Sequence, residues 1–324
     1  MATTFHAQIA ANRRNSFLLV VVVVALLAAL GFVIGYGLSG EPAAGLGWLG
    51  IFGLIAIAMS VGSYFSGDRL VLGASRAREV SEVDQPRLAN VVHEMALAAG
   101  VPAPRIYLID DSAPNAFATG RDPRHASIAV TTGLLDKLDR EELQGVIGHE
   151  LSHVRNLDIR YALLVGVLVG TIALMADFFL RATYWGGFGR RSSSDRGGGG
   201  LQALALAVGL VLAILAPAIA RLVQLAVSRQ REYLADASSV ELTRNPHGLE
   251  RALAKVGADR EVLEVANRAT QHLYFTNPIK KWEERSSGLF STHPPILERV
   301  NRLRELTGEV PLEPRDMAAL AGLE

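Results

Sequence analysis

The sequence predicts a mainly α-helical membrane protein of the α+β kind, in which a small β-sheet belongs to a segment outside the bilayer. Three observations predict it: four long apolar runs, a cluster of short β-branched segments between residues 105 and 131, and a balance too apolar for an ordinary cytosolic enzyme. Half of the 324 residues are apolar and 20% are charged. The 32 basic and 32 acidic residues cancel, so no net field points to nucleic acid as a partner. No cysteine is present, which excludes disulfides, thiolate metal sites and a cysteine nucleophile. Any metal must be held by histidine and carboxylate.

The first apolar run extends from Phe17 to Gly40 without an ionisable residue, and the second from Ala43 to Gly67 after Glu41-Pro42. About 20 apolar residues cross a hydrocarbon core, whereas a cleaved signal has an apolar region of only about 7–15. The two runs predict a transmembrane hairpin over 1–67. Arg13 and Arg14 precede it, Arg69, Arg76 and Arg78 follow it, and only Glu41 marks its turn. The positive-inside rule then puts both ends in the cytoplasm.

Residues 68–160 read as a cytoplasmic segment. Leu88, Val91, Val92 and Met95 recur at helical spacing, closed by Gly100 and Pro102. Strands are predicted at 105–109 and 126–131, with 114–119 between them. Such a sheet can offer an edge to an extended peptide; by spacing alone Asn115–Thr119 is equally an ordinary structural strand. Asp139 with Glu142 three residues on predicts an N-cap, and Leu143, Val146, Ile147, Leu151 and Val154 give the following helix an apolar face.

That helix carries His149-Glu150-Leu151-Ser152-His153. Two histidines four apart project from one helix face and can share one tetrahedral cation, beside which Glu150 can take up and return a proton. The bland alternative is a pair of surface histidines. A third ligand from the H-E-x-x-H-x-x-G-x-x-H continuation is excluded, because Asn156 and Ile159 stand where Gly and His are needed.

Further apolar runs at Tyr161–Leu180 and Leu201–Ala220 flank a Gly/Ser/Arg-rich linker within 184–200, together predicting a second hydrophobic hairpin over 161–227. The basic linker conflicts with the charge rule if the hairpin crosses fully, and an interfacial hairpin is the alternative. Either way the chain returns beside the first motif just before Arg231-Glu232-Tyr233-Leu234-Ala235-Asp236. Glu232 is therefore the candidate third ligand, in the terminal segment 228–324. A salt-bridged surface face is the other reading of Glu232 and Asp236.

Together, G-H-E-L-S-H-V-R-N-x-D, S-R-x-R-E-Y-x-A-D-A and S-T-H-P resemble the HtpX-type heat-shock metalloproteases, relatives of the CaaX prenyl endopeptidases. The resemblance implies four hydrophobic helices and a cytoplasmic gluzincin-like zinc protease domain. It implies one Zn2+ on His149, His153 and Glu232, with Glu150 as general base and His293 as a donor to the oxyanion. It places Asp236 behind the ligands, a role that fits Asp158 as well. Asn115, Ala116, Phe117 and Ala118 become the substrate-binding edge. The implied task is quality control of misfolded membrane proteins at a bacterial inner membrane. A CaaX-type processing protease and a non-catalytic membrane scaffold are the alternatives; the sequence leaves the oligomeric state open.

Overall fold

The computed structural model describes residues 5–165, 209–210, 229–259, 261–264, 273–276 and 294–322. Most of the third and fourth apolar runs, the Gly/Ser/Arg linker and His293 lie outside them. The chain divides into two compact units, Arg14–Phe65 with Leu164–Val223, and Met1–Arg13 with Ser66–Leu163 and Gln224–Glu324.

In the first unit, helices α1 (Phe5–Ser39) and α2 (Pro42–Ala74) form the expected hairpin around Gly40, whose φ of 75° suits glycine. Close packing relies on missing side chains: a Cβ on Gly31 would lie 2.6 Å from the Trp48 carbonyl oxygen, and one on Gly35 2.8 Å from that of Ala44. Arg14–Gly37 and Pro42–Ala74 are long and apolar enough to cross a membrane. Phe17, Leu46, Leu54 and Phe65 are more than half exposed, a surface suited to hydrocarbon rather than water. Helix α2 runs past Gly67 to Ala74.

The second unit is built on a four-stranded sheet of order β1-β2-β4-β3, from β1 (Arg78–Glu79), β2 (Arg105–Ile109), β3 (Ala116–Gly120) and β4 (Ala126–Thr131). Strands β2 and β4 are parallel and the other pairs antiparallel. Helix α3 (Pro86–Ala99) stops at Gly100, whose φ of 67° lets its N–H reach back to the carbonyls of Ala96 and Leu97. The short helix α4 (Thr132–Lys137) leads into α5 (Arg140–Arg155), which begins with the predicted reciprocal cap: Glu142 N–H donates to Asp139 at 2.9 Å and Asp139 N–H to Glu142 at 2.8 Å.

Helix α5 is not a surface helix with one apolar stripe. Glu142 through Val154 are buried almost throughout, with α6 (Arg229–Thr243) and α7 (Pro246–Ala258) packed close by. Gly145 and Gly148 permit that approach, since a Cβ on Gly145 would meet the Leu249 backbone at 2.8 Å and one on Gly148 the Ser239 hydroxyl at 2.9 Å. Ser239 Oγ in turn donates to the Gly145 carbonyl at 2.6 Å. The buried Glu142 also takes an ion pair from Lys255 at 2.8 Å, tying the start of α5 to α7.

The chain beyond Leu306 is packed on the core. After α8 (Ile296–Thr307), Leu312 packs on the core, as do Met317 and Leu320 of helix α9 (Met317–Leu320), and Ala321 just past that helix is buried. Burying these apolar side chains outweighs the cost of ordering the segment.

Candidate active site

His149 and His153 project from α5 toward α6, where Glu232 faces them. Their Nε2 atoms stand 3.2 Å apart, and Glu232 places Oε2 3.7 Å from His149 Nε2 and Oε1 3.6 Å from His153 Nε2. A tetrahedral cation with bonds of about 2.0–2.1 Å holds its ligand atoms about 3.3 Å apart, so these separations are close to the edges of one coordination tetrahedron. His149 is fully buried, which removes the surface-pair reading.

The opposite nitrogens are fixed by carboxylates. His149 Nδ1 lies 2.9 Å from Asp236 Oδ1, and His153 Nδ1 lies 3.0 Å from Asp158 Oδ2. With Nδ1–H donated to a carboxylate in each case, both Nε2 lone pairs converge on the same point beside Glu232. Convergent lone pairs repel unless a cation lies between them, so this donor set fits a bound metal.

Asp158 reaches His153 only because the helix breaks. In a continuous helix, residue 158 would point about 140° away from residue 153. Instead α5 ends at Arg155, Leu157 takes a positive φ of 62°, and a new helical stretch starts at 158. A bulky residue in that conformation costs on the order of 1 kcal/mol. The break turns Asp158 back onto its histidine.

Arg299 of α8 lies behind the site, almost wholly buried. It donates to both oxygens of Asp236, Nη2 to Oδ1 at 2.7 Å and Nε to Oδ2 at 2.9 Å, and its Nη1 is 3.7 Å from Glu232. Burial opposes ionisation of Asp236, yet the adjacent guanidinium holds its pKa below the usual carboxylate range. Spacing in the sequence gives Arg299 only a weak signal, a position one and a half turns past His293.

Electrostatics also call for a cation. Glu150, Glu232, Asp236 and Asp158 gather against Arg299 and Arg231, the latter 3.5 Å from Asp158, so carboxylates outnumber guanidiniums around the two histidines. Burial drives His149 down to about 4. Burial also opposes charge on His153, but Asp158, Glu232 and Glu150 prevail and raise it to about 9. Burial pushes Glu150 up to about 7, a value suited to accepting and returning a proton near neutrality.

The predicted substrate edge is not open. All five residues of β3 are buried, and Glu150 accepts a hydrogen bond from the Ala118 N–H. Outside the sheet, Phe275 N–H donates to the Ala116 carbonyl at 2.7 Å, and the Asn115 amide exchanges hydrogen bonds with the Thr276 backbone at 3.0 and 3.3 Å. Phe117 points to the other face of the sheet, 5.0 Å from the Tyr274 ring. The exposed edge expected from the sequence is thus covered by residues 274–276, because their backbone groups pair with it. His293 lies outside the described residues.

The profile of peptidase family M48 matches residues 82–307. A protein named "Protease HtpX homolog" from Streptococcus gordonii is 46% identical over 300 residues, covering 92% of this chain and 99% of that protein. Its namesake from Streptococcus uberis is 44% identical over 301 residues, covering 93% and 99%. A solved structure, "Crystal Structure of S. mikatae Ste24p", aligns with 84% of this chain and 61% of that chain at 18% identity and a TM-score of 0.47, a likeness too loose to bear weight.

Proposed function

Since this chain belongs to peptidase family M48 and is a membrane-bound metalloendopeptidase, we propose that its metal is zinc, held by His149, His153 and Glu232, and that Glu150 is the general base. The observation that carries this reading is the convergence of both Nε2 atoms and the Glu232 carboxylate on one point, with each histidine backed by its own carboxylate.

When bound, zinc supplies a Lewis acid that polarises the peptide carbonyl and acidifies water. Glu150 takes a proton from the attacking water and delivers it to the leaving amine nitrogen. Its burial keeps bulk water from competing for that proton. Asp236 and Asp158 hold the histidines in the tautomer that presents Nε2, and Arg299 keeps Asp236 ionised and oriented. His293, matched to the family's S-T-H-P motif, is proposed as the donor that steadies the oxyanion.

The basic residues flanking the first hairpin support a site on the cytoplasmic side of a bacterial inner membrane. Misfolded or damaged membrane proteins are the proposed substrates. Purified protein carrying Glu150→Gln is expected to keep one zinc per chain and to lose cleavage of an unfolded membrane-protein substrate by about 1,000-fold or more. Cleavage at the wild-type rate by that variant would remove Glu150 from its role.

A further inference from the structure

Residues 274–276 are arranged against the site as a substrate peptide would be. Phe275 N–H bonds the Ala116 carbonyl, and Thr276 bonds the Asn115 side chain through both its N–H and its carbonyl. Phe275 therefore lies beside Ala116, and Thr276 beside the Asn115 side chain, along the outer edge of β3. Beside them the Tyr274 and Phe117 rings meet edge to face at 5.0 Å. The remaining polar group, the Phe275 carbonyl, accepts from Arg299 Nη1 at 3.0 Å.

All four backbone donors and acceptors of Phe275 and Thr276 are thus satisfied by the Ala116 carbonyl, the Asn115 amide or Arg299, whatever the side chains of 275 and 276 are. A peptidase that accepts many sequences must hold them in this way, by the backbone. The side chains fit unequally. The Phe275 ring packs edge to face on the His149 imidazole at 5.0 Å, with the Arg299 guanidinium 4.8 Å above it. Thr276, in contrast, buries a hydroxyl with no hydrogen-bond partner among the described residues, which costs stability. Among the described residues, the side-chain tether is Tyr274, whose hydroxyl bonds Ser75 at 3.1 Å.

We propose that Phe275–Thr276 occupies the peptide track of the active site as an internal stand-in for substrate, so that a substrate enters by displacing it and places a large apolar or aromatic residue where Phe275 lies. This rests on the peptidase reading above and specifies its substrate class: extended segments carrying an aromatic or large aliphatic residue at that position, with no proline at the Phe275 or Thr276 position, where an N–H must be donated. Unfolded membrane segments are rich in such residues. Occupation by the chain itself lowers apparent substrate affinity in proportion to the fraction of molecules in which the track is open.

The test uses the full chain, zinc-loaded in detergent, with a peptidic hydroxamate bearing phenylalanine as the probe. Hydrogen exchange at the Phe275 and Thr276 amides is expected to accelerate by about 10-fold or more when the probe saturates the site. Ser75→Ala, which releases the Tyr274 hydroxyl without touching the track, is expected to lower KM by about threefold and leave kcat unchanged. Exchange that stays unaltered with the probe bound overturns the proposal, as does a Ser75→Ala variant that folds normally but keeps the wild-type KM. A wild-type protein that cleaves no unfolded substrate would instead overturn the peptidase reading, a result separate from either of these.

Discussion

His149, His153 and Glu232 offer a metal three nitrogen or oxygen atoms within 4.8 Å of one another, and so do His247, Glu250 and Glu309. The two groups differ in what surrounds those atoms. In the first, each histidine uses Nδ1 on a carboxylate behind it, so Nε2 is free to face inward. In the second, His247 divides its nitrogens between the acids, Nδ1 toward Glu250 at 3.5 Å and Nε2 toward Glu309 at 3.5 Å. Arg304 then supplies the cation, 2.8 Å from Glu309 and 3.7 Å from Glu250. Arg299 does the reverse at the first site, bonding chiefly to Asp236 behind a ligand and leaving the inner face short of positive charge. The donor set alone does not make a metal centre. The placement of the nearest arginine and the direction of each imidazole decide it.

The sharpest way to break this contrast is to remove a proposed ligand from the first group. Glu232→Ala is expected to lower zinc affinity by about 1,000-fold and to abolish cleavage in ordinary buffer, read by metal analysis after dialysis against a mild chelator. Asp236→Asn should cost less, about 10- to 100-fold in zinc affinity, because it disturbs a ligand's orientation rather than deleting it. A loss as large as that of Glu232→Ala would make Asp236 a ligand and contradict the geometry. His247→Ala is expected to change neither zinc content nor kcat/KM; loss of a second zinc equivalent would erase the distinction between the clusters.

The smallest effect concerns Glu250, buried, with His247 at 3.5 Å and Arg304 at 3.7 Å as its cationic partners among the described residues. Burial raises its pKa above the ordinary value of 4.5 despite His247 and Arg304. The folded state thus binds this proton more tightly than the unfolded chain does. The ionised group costs stability above the folded pKa, and that cost vanishes below 4.5. Glu250→Gln should therefore raise Tm by about one or two degrees at pH 8 and leave it unchanged near pH 4. A fall in Tm at pH 8 would show that the Arg304 and His247 pairing outweighs burial.

What was legible in the sequence is what depends on near neighbours. The Asp139–Glu142 cap, the Gly100 stop, the three strands and the i, i+4 histidines each follow from residues within a turn or two. Glu232 needed a topological argument, because it lies across the second apolar pair. The rest was hidden for identifiable reasons. Nothing local marks Leu157 as a helix break, since it is neither glycine nor proline, so the return of Asp158 to His153 could be suggested only by analogy. Leu273-Tyr274-Phe275-Thr276 is a short apolar, β-prone run before Asn277-Pro278, but the Asn115 it bonds lies 161 residues earlier and no periodicity links them. His247-x-x-Glu250 is a visible i, i+3 pair; Glu309 joins it only through the packing of the tail.

The central claim, that two histidines and one glutamate from separate helices enclose a single zinc, is tested most directly by X-ray absorption at the zinc edge on purified wild-type protein. One zinc per chain is expected, with two imidazoles and only oxygen besides at about 2.0–2.1 Å. A spectrum with one imidazole or none, or with a third, would contradict it.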